Sequence, residues 1–200
     1  MTLTLSLCAS PKEINSFNGK FVQTITDDNG KKIIYSGELW AHKPQNALWI
    51  YQKPIQKSVY INSKKITVIE PSIEQVTLRT LDDEIDFLQI IQQAKKVNTD
   101  TYAATVKGQK YTVLFSNELL NSISYTDGFD NRVMILFNAP SQNKPIDPSK
   151  FKPVIPANYD VIKDWFSSYT FCIFSTRIPL VIFNSIHVII PKFFIRADPC

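Results

Sequence analysis

The chain has 200 residues, 44% hydrophobic and 20% charged, with a net charge of +4. That is enough for one domain with a proper core, hardly enough for two, and too apolar for a disordered chain. The charge is mild, and the lysine pairs at 31–32, 64–65 and 95–96 are isolated, which argues against nucleic acid as a partner.

Residues 1–10 are apolar and uncharged, and they give way to Pro11-Lys12-Glu13. They read as a signal-peptide remnant, the end of a secretory apolar region without its basic start; a short N-terminal strand is the alternative. Leu5-Ser6-Leu7-Cys8 hints at a lipoprotein box, but the residue before a lipidated cysteine is normally small, and Leu7 is not. The folded domain is expected over 11–164.

Short strands separated by turn chemistry dominate 17–137. The predicted strands are 19–26, 33–41, 47–51, 57–62, 65–70, 73–78, 102–106, 111–116, 120–125 and 132–138. Between them lie Asp28-Asn29-Gly30, Asn62-Ser63, Lys107-Gly108 and Asp127-Gly128, where Gly or Asn reaches positive φ at low cost. Such spacing predicts a meandering antiparallel sheet, a barrel or a sandwich. The second and third strands each stop at a proline, Pro44 and Pro54, with only Gln45, Asn46 and Ala47 between the runs. They are expected to pair, and Trp40, Trp49 and Tyr51 to form an apolar surface larger than one hairpin can bury.

Residues 82–96 break the pattern. Asp82, Asp83 and Glu84 at one end and Lys95 and Lys96 at the other match a helix dipole, with Asp82 as cap. Ile85, Leu88 and Ile91 recur at threefold spacing, with Phe87, Ile90 and Ala94 beside them. An amphipathic helix across the concave face of the sheet is the prediction. Residues 152–164 read as a closing loop and a last short strand. Beyond them, 165–200 hold few charges and six phenylalanines with no clean period. This hydrophobic tail is expected to be non-native or disordered, through readthrough or a shifted frame; a poor membrane anchor and a cavity-filling extension are the alternatives.

No motif for catalysis, phosphate binding or metal ligation is present. Cys8, Cys172 and Cys200 have no CxxC spacing, and His42 and His187 are the two imidazoles, so neither a zinc site nor a disulfide framework is expected. The expectation is a protein with no catalytic residues, metal or cofactor.

Several stretches together resemble one family. They are Phe17-x-x-x-Phe21-x-Gln23, Gly37-x-Leu39-Trp40 followed by Lys43 and Pro44, Trp49-x-Tyr51-x-x-Pro54, and Phe151-x-Pro153 with Pro156 and Tyr159-Asp160-Val161. From about 17 to 164 the chain resembles the periplasmic outer-membrane lipoprotein carriers, the LolA family. The resemblance implies an incomplete, strongly curved antiparallel β-barrel, a half-barrel, with a helical lid over an apolar cavity. It implies a monomeric carrier in the periplasm, without turnover. Its partners would be acylated lipoproteins, an inner-membrane lipoprotein-releasing ABC transporter and an outer-membrane lipoprotein receptor.

Under that reading Leu39, Ala47, Trp49, Tyr51, Val59, Ile61, Ile66 and Val68 line the cavity, and Leu88 and Ile91 belong to the lid. Lys43 stands where the family carries a functional arginine and lacks its planar fork of donors. Ala47 stands where the family has a bulky aromatic, and the usual leading helix is short or missing. An outer-membrane receptor of the same fold and a general lipid-binding or sensing module are the alternative functions.

Overall fold

Alternating side chains and frequent turn residues give twelve strands among the described residues. The computed structural model describes residues 13–80 and 87–164; the expectations for 1–10, for Asp82 as a cap and for the 165–200 tail lie outside them. The strands are β1 (Ser16–Thr26), β2 (Lys32–His42), β3 (Asn46–Lys53), β4 (Lys57–Asn62), β5 (Lys65–Glu70) and β6 (Gln75–Thr80). After helix α1 (Phe87–Gln92) come β7 (Lys95–Lys96), β8 (Thr101–Val106), β9 (Gln109–Ser116), β10 (Leu119–Thr126), β11 (Arg132–Gln142) and β12 (Asp160–Asp164).

All twelve form one curved sheet in the order β12-β6-β5-β4-β3-β2-β1-β11-β10-β9-β8-β7. It is open, because β12 and β7 are its edges. Two meanders, β1–β6 and β7–β11, meet where β1 pairs with β11, from Phe17 opposite Gln142 to Thr26 opposite Arg132. Gly30 and Gly108 take the positive φ expected of them, 80° and 78°. At other turns Ser63 (56°) and Asp130 (62°) enter the left-handed region in place of Asn62 and Gly128, and Lys107 (50°) joins Gly108. Asp127 secures the β10–β11 turn by accepting hydrogen bonds from the backbone N–H of Phe129 (2.8 Å) and Asn131 (3.0 Å).

Three expectations about the elements need correction. β12 pairs parallel with β6, Asp160 opposite Gln75, so the sheet is not wholly antiparallel. The long return from the centre of the sheet to its edge brings the chain in along the direction of β6, as a crossover connection allows. The helix ends at Gln92, and Lys95 and Lys96 form a strand opposite Ala103 and Tyr102. Turn residues Asn98 to Asp100 close that hairpin, with the Val97 N–H donating to Thr101 O at 2.9 Å. β6 begins at Gln75 rather than 73, because Pro71–Ile73 forms a 3-10 turn that ends on Glu74 in the left-handed region.

The β2–β3 pair splits its aromatics between faces. Leu39 lies opposite Trp49, and Trp40 opposite Leu48. Trp40 therefore points away from Trp49 and Tyr51, and the expected three-residue apolar surface is divided. On the outer face Leu48 is buried, the Lys150 ammonium sits 3.7 Å from the Trp40 ring, and Phe151 lies 6.4 Å from His42. The 3-10 turn Pro148–Phe151 covers this side of the sheet.

Gly37 sets the local geometry between β2 and β3. The register shifts between Ser36 and Gly37, and a Cβ at Gly37 would collide with the Ile50 carbonyl oxygen. Any side chain there would drive the two backbones apart.

Candidate functional site

Period two puts residues 39, 47, 49, 51, 59, 61, 66 and 68 on one face of β2–β5. Cross-strand register then assembles them into rows. Leu39, Trp49, Val59 and Val68 are successive partners across four strands, as are Ala41, Ala47, Ile61 and Ile66. Directly opposite side chains in such rows are near neighbours. All eight cavity candidates are buried on this inner face, none more than 4% exposed.

α1 lies against β2 and β8 and turns Phe87, Leu88 and Ile91 into the same core. The two lid candidates are thus part of one cluster with the eight from the sheet, and the helix that carries them is short and seated on the inner face.

Aromatic rings fill much of that face. Phe21 makes edge contacts at 5.1 Å with both Trp49 and Tyr51. Phe87 meets Phe17 at 5.7 Å, Trp49 at 5.8 Å and Phe137 at 6.0 Å. Sequence reasoning does not single out Phe17, Phe21, Phe87 or Phe137 as site residues. A signal for the first two exists, since they alternate with polar residues on β1 in phase with Gln23. Phe87 falls on the apolar face that the helical spacing gives, whereas placing Phe137 requires the β1–β11 pairing.

One end of the face is polar. The Tyr51 hydroxyl donates to Gln23 Oε1 at 3.1 Å, and both residues are buried. Lys57 is also buried, its ammonium 4.8 Å from the Tyr51 ring and 5.7 Å from that of Tyr35. Burial pushes the Lys57 ammonium down to about 8, and the charge of Glu70 opposes that shift. Burial likewise raises the Tyr51 phenol well above its usual range, with Tyr125 and Tyr35 adding to the shift. Sequence patterning marks 57–62 as a strand but gives no sign that its first residue is an enclosed cation.

Lys43 lies elsewhere, in the turn between β2 and β3. Its backbone N–H donates to Asn15 O at 2.9 Å, and its ammonium pairs with the Glu13 carboxylate at 3.1 Å. The described partners of Lys43 belong to the segment before β1, not to α1.

A hollow of about 1090 Å³ opens near the β1–β2 and β10–β11 turns, lined by Thr24, Thr26, Lys32, Lys110, Thr112 and Arg132 among others. Its lining residues are mostly polar or charged, with Tyr125, Val133 and Met134 among them. The inner face is more uniformly apolar, and rings of the protein fill it.

Comparison with known proteins places these features in a family. A family model described as "Outer membrane lipoprotein carrier protein LolA" matches residues 12–154. The outer-membrane lipoprotein carrier protein of Wolinella succinogenes is 34% identical over 156 residues, covering 78% of this chain and 91% of that protein. The carrier of the same name from Campylobacter jejuni is 34% identical over 157 residues, covering 78% and 92%. An uncharacterised conserved protein from Thermus thermophilus has a solved structure with a TM-score of 0.50 at 8% identity. The match covers 78% of this chain and 94% of that one, and it supports the fold alone. The span matched by the family model takes in the buried face of the sheet and α1, and the chain belongs to the LolA family of outer-membrane lipoprotein carrier proteins.

Proposed function

We propose that the protein is a periplasmic carrier that shelters the acyl chains of lipoproteins against the inner face of its open sheet. The observation that carries this reading is the apolar inner face built by Leu39, Ala47, Trp49, Val59, Ile61, Ile66 and Val68, which is covered here by α1 and by rings of the open sheet itself. Each acyl methylene exposed to water costs about 0.8 kcal/mol, so long chains need such a surface to cross an aqueous space. Burial of this kind is non-directional, so the cargo can leave for a more apolar site.

In this state Phe87, Leu88 and Ile91 occupy the face. Among the described residues α1 is the one element there that lies outside the strand ladder. Its displacement by alkyl chains makes the cavity, and α1 then acts as the lid. Lys43, beside Glu13 at one end of the face, holds the leading segment in place. The cargo would be received from an inner-membrane lipoprotein-releasing ABC transporter and passed to an outer-membrane receptor. The carrier would work as a monomer and without turnover.

The test is displacement of a hydrophobic dye bound to the full-length protein. A mature acylated lipoprotein is expected to displace it, and the same lipoprotein lacking its acyl chains to leave it bound. Equal displacement by both would overturn acyl-chain burial.

A further inference from the structure

From the apolar lining we infer that the indole N–H of Trp49 is a hydrogen-bond donor for the ester carbonyl at the head of a bound acyl chain. The inference rests on the acyl-binding reading and adds one polar contact to it. Trp49 is buried, and its Nε1 has no hydrogen-bond partner among the described residues. Its ring neighbours are Phe21 at 5.1 Å, Phe87 at 5.8 Å and Tyr51 at 6.5 Å. The two phenylalanines offer no oxygen, and the Tyr51 hydroxyl donates to Gln23 and makes no hydrogen bond with the indole nitrogen. Buried donors in folded proteins nearly always have acceptors, so one left bare asks for a reason.

Position supplies the reason. Phe87 belongs to α1, the element that must leave for alkyl chains to enter. Its edge contact with Trp49 is therefore the contact that cargo would replace. An alkyl chain in that space would leave the indole N–H as bare as before. A chain whose ester group reaches Trp49 satisfies it, with the hydrocarbon running on over Val59 and Val68, the next partners in the row. Phenylalanine at 49 would keep a smaller apolar ring on the face and leave no donor stranded, so the nitrogen is the part that ring contacts do not explain.

Trp40 Nε1 also lacks a partner among the described residues, but it faces the opposite side of the sheet, beneath Lys150 and the 3-10 turn. It is outside any route for cargo and serves as an internal control.

The experiment uses the full-length protein and three probes with matched sixteen-carbon chains (a diacylglyceryl-cysteine peptide, its dialkyl ether analogue and a diacyl phospholipid). The ester peptide is expected to bind about five- to tenfold tighter than the ether, the worth of one net hydrogen bond. Trp49→Phe is expected to bind ester and ether equally. In 1H–15N spectra of the wild type, the Trp49 indole resonance should move downfield with the ester and not with the ether, while that of Trp40 stays. This measurement needs no variant to fold. Comparable binding of the phospholipid would make membrane lipid a second source of the ester; weaker binding would assign it to lipoprotein. Equal affinity for ester and ether, or a Trp49 resonance that does not respond, would overturn this inference while leaving acyl binding intact. Failure of all probes to bind would overturn both.

Discussion

Lys57 sits on the inner face as the partner of Tyr51, which is in turn the partner of Gly37, and it is only 4% exposed. Its ammonium is tolerated there because Tyr51 and Tyr35 present ring faces to it and Glu70 contributes opposite charge. Since folding holds this amine at about 8, below its ordinary value of 10.5, the unfolded chain binds more protons between those limits. Stability therefore rises with pH through that window, and the deficit is complete below it. Buried Tyr51 acts the other way above about pH 10, because its raised pKa makes unfolding release a proton. Between pH 8 and 9.5 the wild type is expected to gain about 1.5 kcal/mol that Lys57→Met does not, read from urea melts at each pH. An equal gain in the variant would remove Lys57 as its cause. A lysine at a strand start, three residues after Pro54, looks in sequence like a solvated end. Only the register, which sets it beside two tyrosine rings, shows it enclosed.

Among the elements, α1 differs from the strands in how it is held. Six residues are about a turn and a half, too few for an independently stable helix. Its stability comes from Phe87, Leu88 and Ile91 seated among rings of the sheet. The strands β1, β2 and β11 have partners on both sides. Local opening should thus cost least at α1. Native-state hydrogen exchange is expected to show the amides of 91–93 exchanging well before those of 20–25, with acylated cargo changing protection at α1 first. Exchange of both segments at one common rate would mean that α1 opens only with the whole fold, and the lid role would fail. The threefold spacing of apolar residues locates this helix. It overextends the helix to Lys96, because the hairpin that captures Lys95 and Lys96 depends on the partner strand β8. The strands themselves are legible from alternation and turn residues, β4 and β5 to the residue.

At the scale of the whole molecule, the pairing of β1 with β11 joins two meanders that are otherwise local. Phe21 opposite Phe137, and Phe17 at 5.0 Å from the Phe137 ring, put aromatic contacts on that seam. Residues of both meanders share one hydrophobic cluster with α1, so neither half has a complete core alone. Denaturant unfolding is expected to be a single transition, with coincident curves from tryptophan fluorescence and far-ultraviolet dichroism. Phe137→Ala should lower stability by about 3–5 kcal/mol without separating them. Two resolved steps in the wild type would show that the meanders fold independently.

The amino-acid sequence by itself determined most of the strands, where the turns fall and the family, because these follow from local alternation, turn residues and motif spacing. The residues it named for the lining share one buried face, which the register between β2, β3, β4 and β5 fixes. Tertiary structure alone decided that Trp40 and Trp49 serve opposite sides, that Lys57 is enclosed, and that β12 runs parallel to β6. It also decided that rings from β1, β11 and α1 fill the face in this state. Each of these depends on which strands become neighbours and in what register, and those pairings join residues far apart in the chain that no local pattern relates.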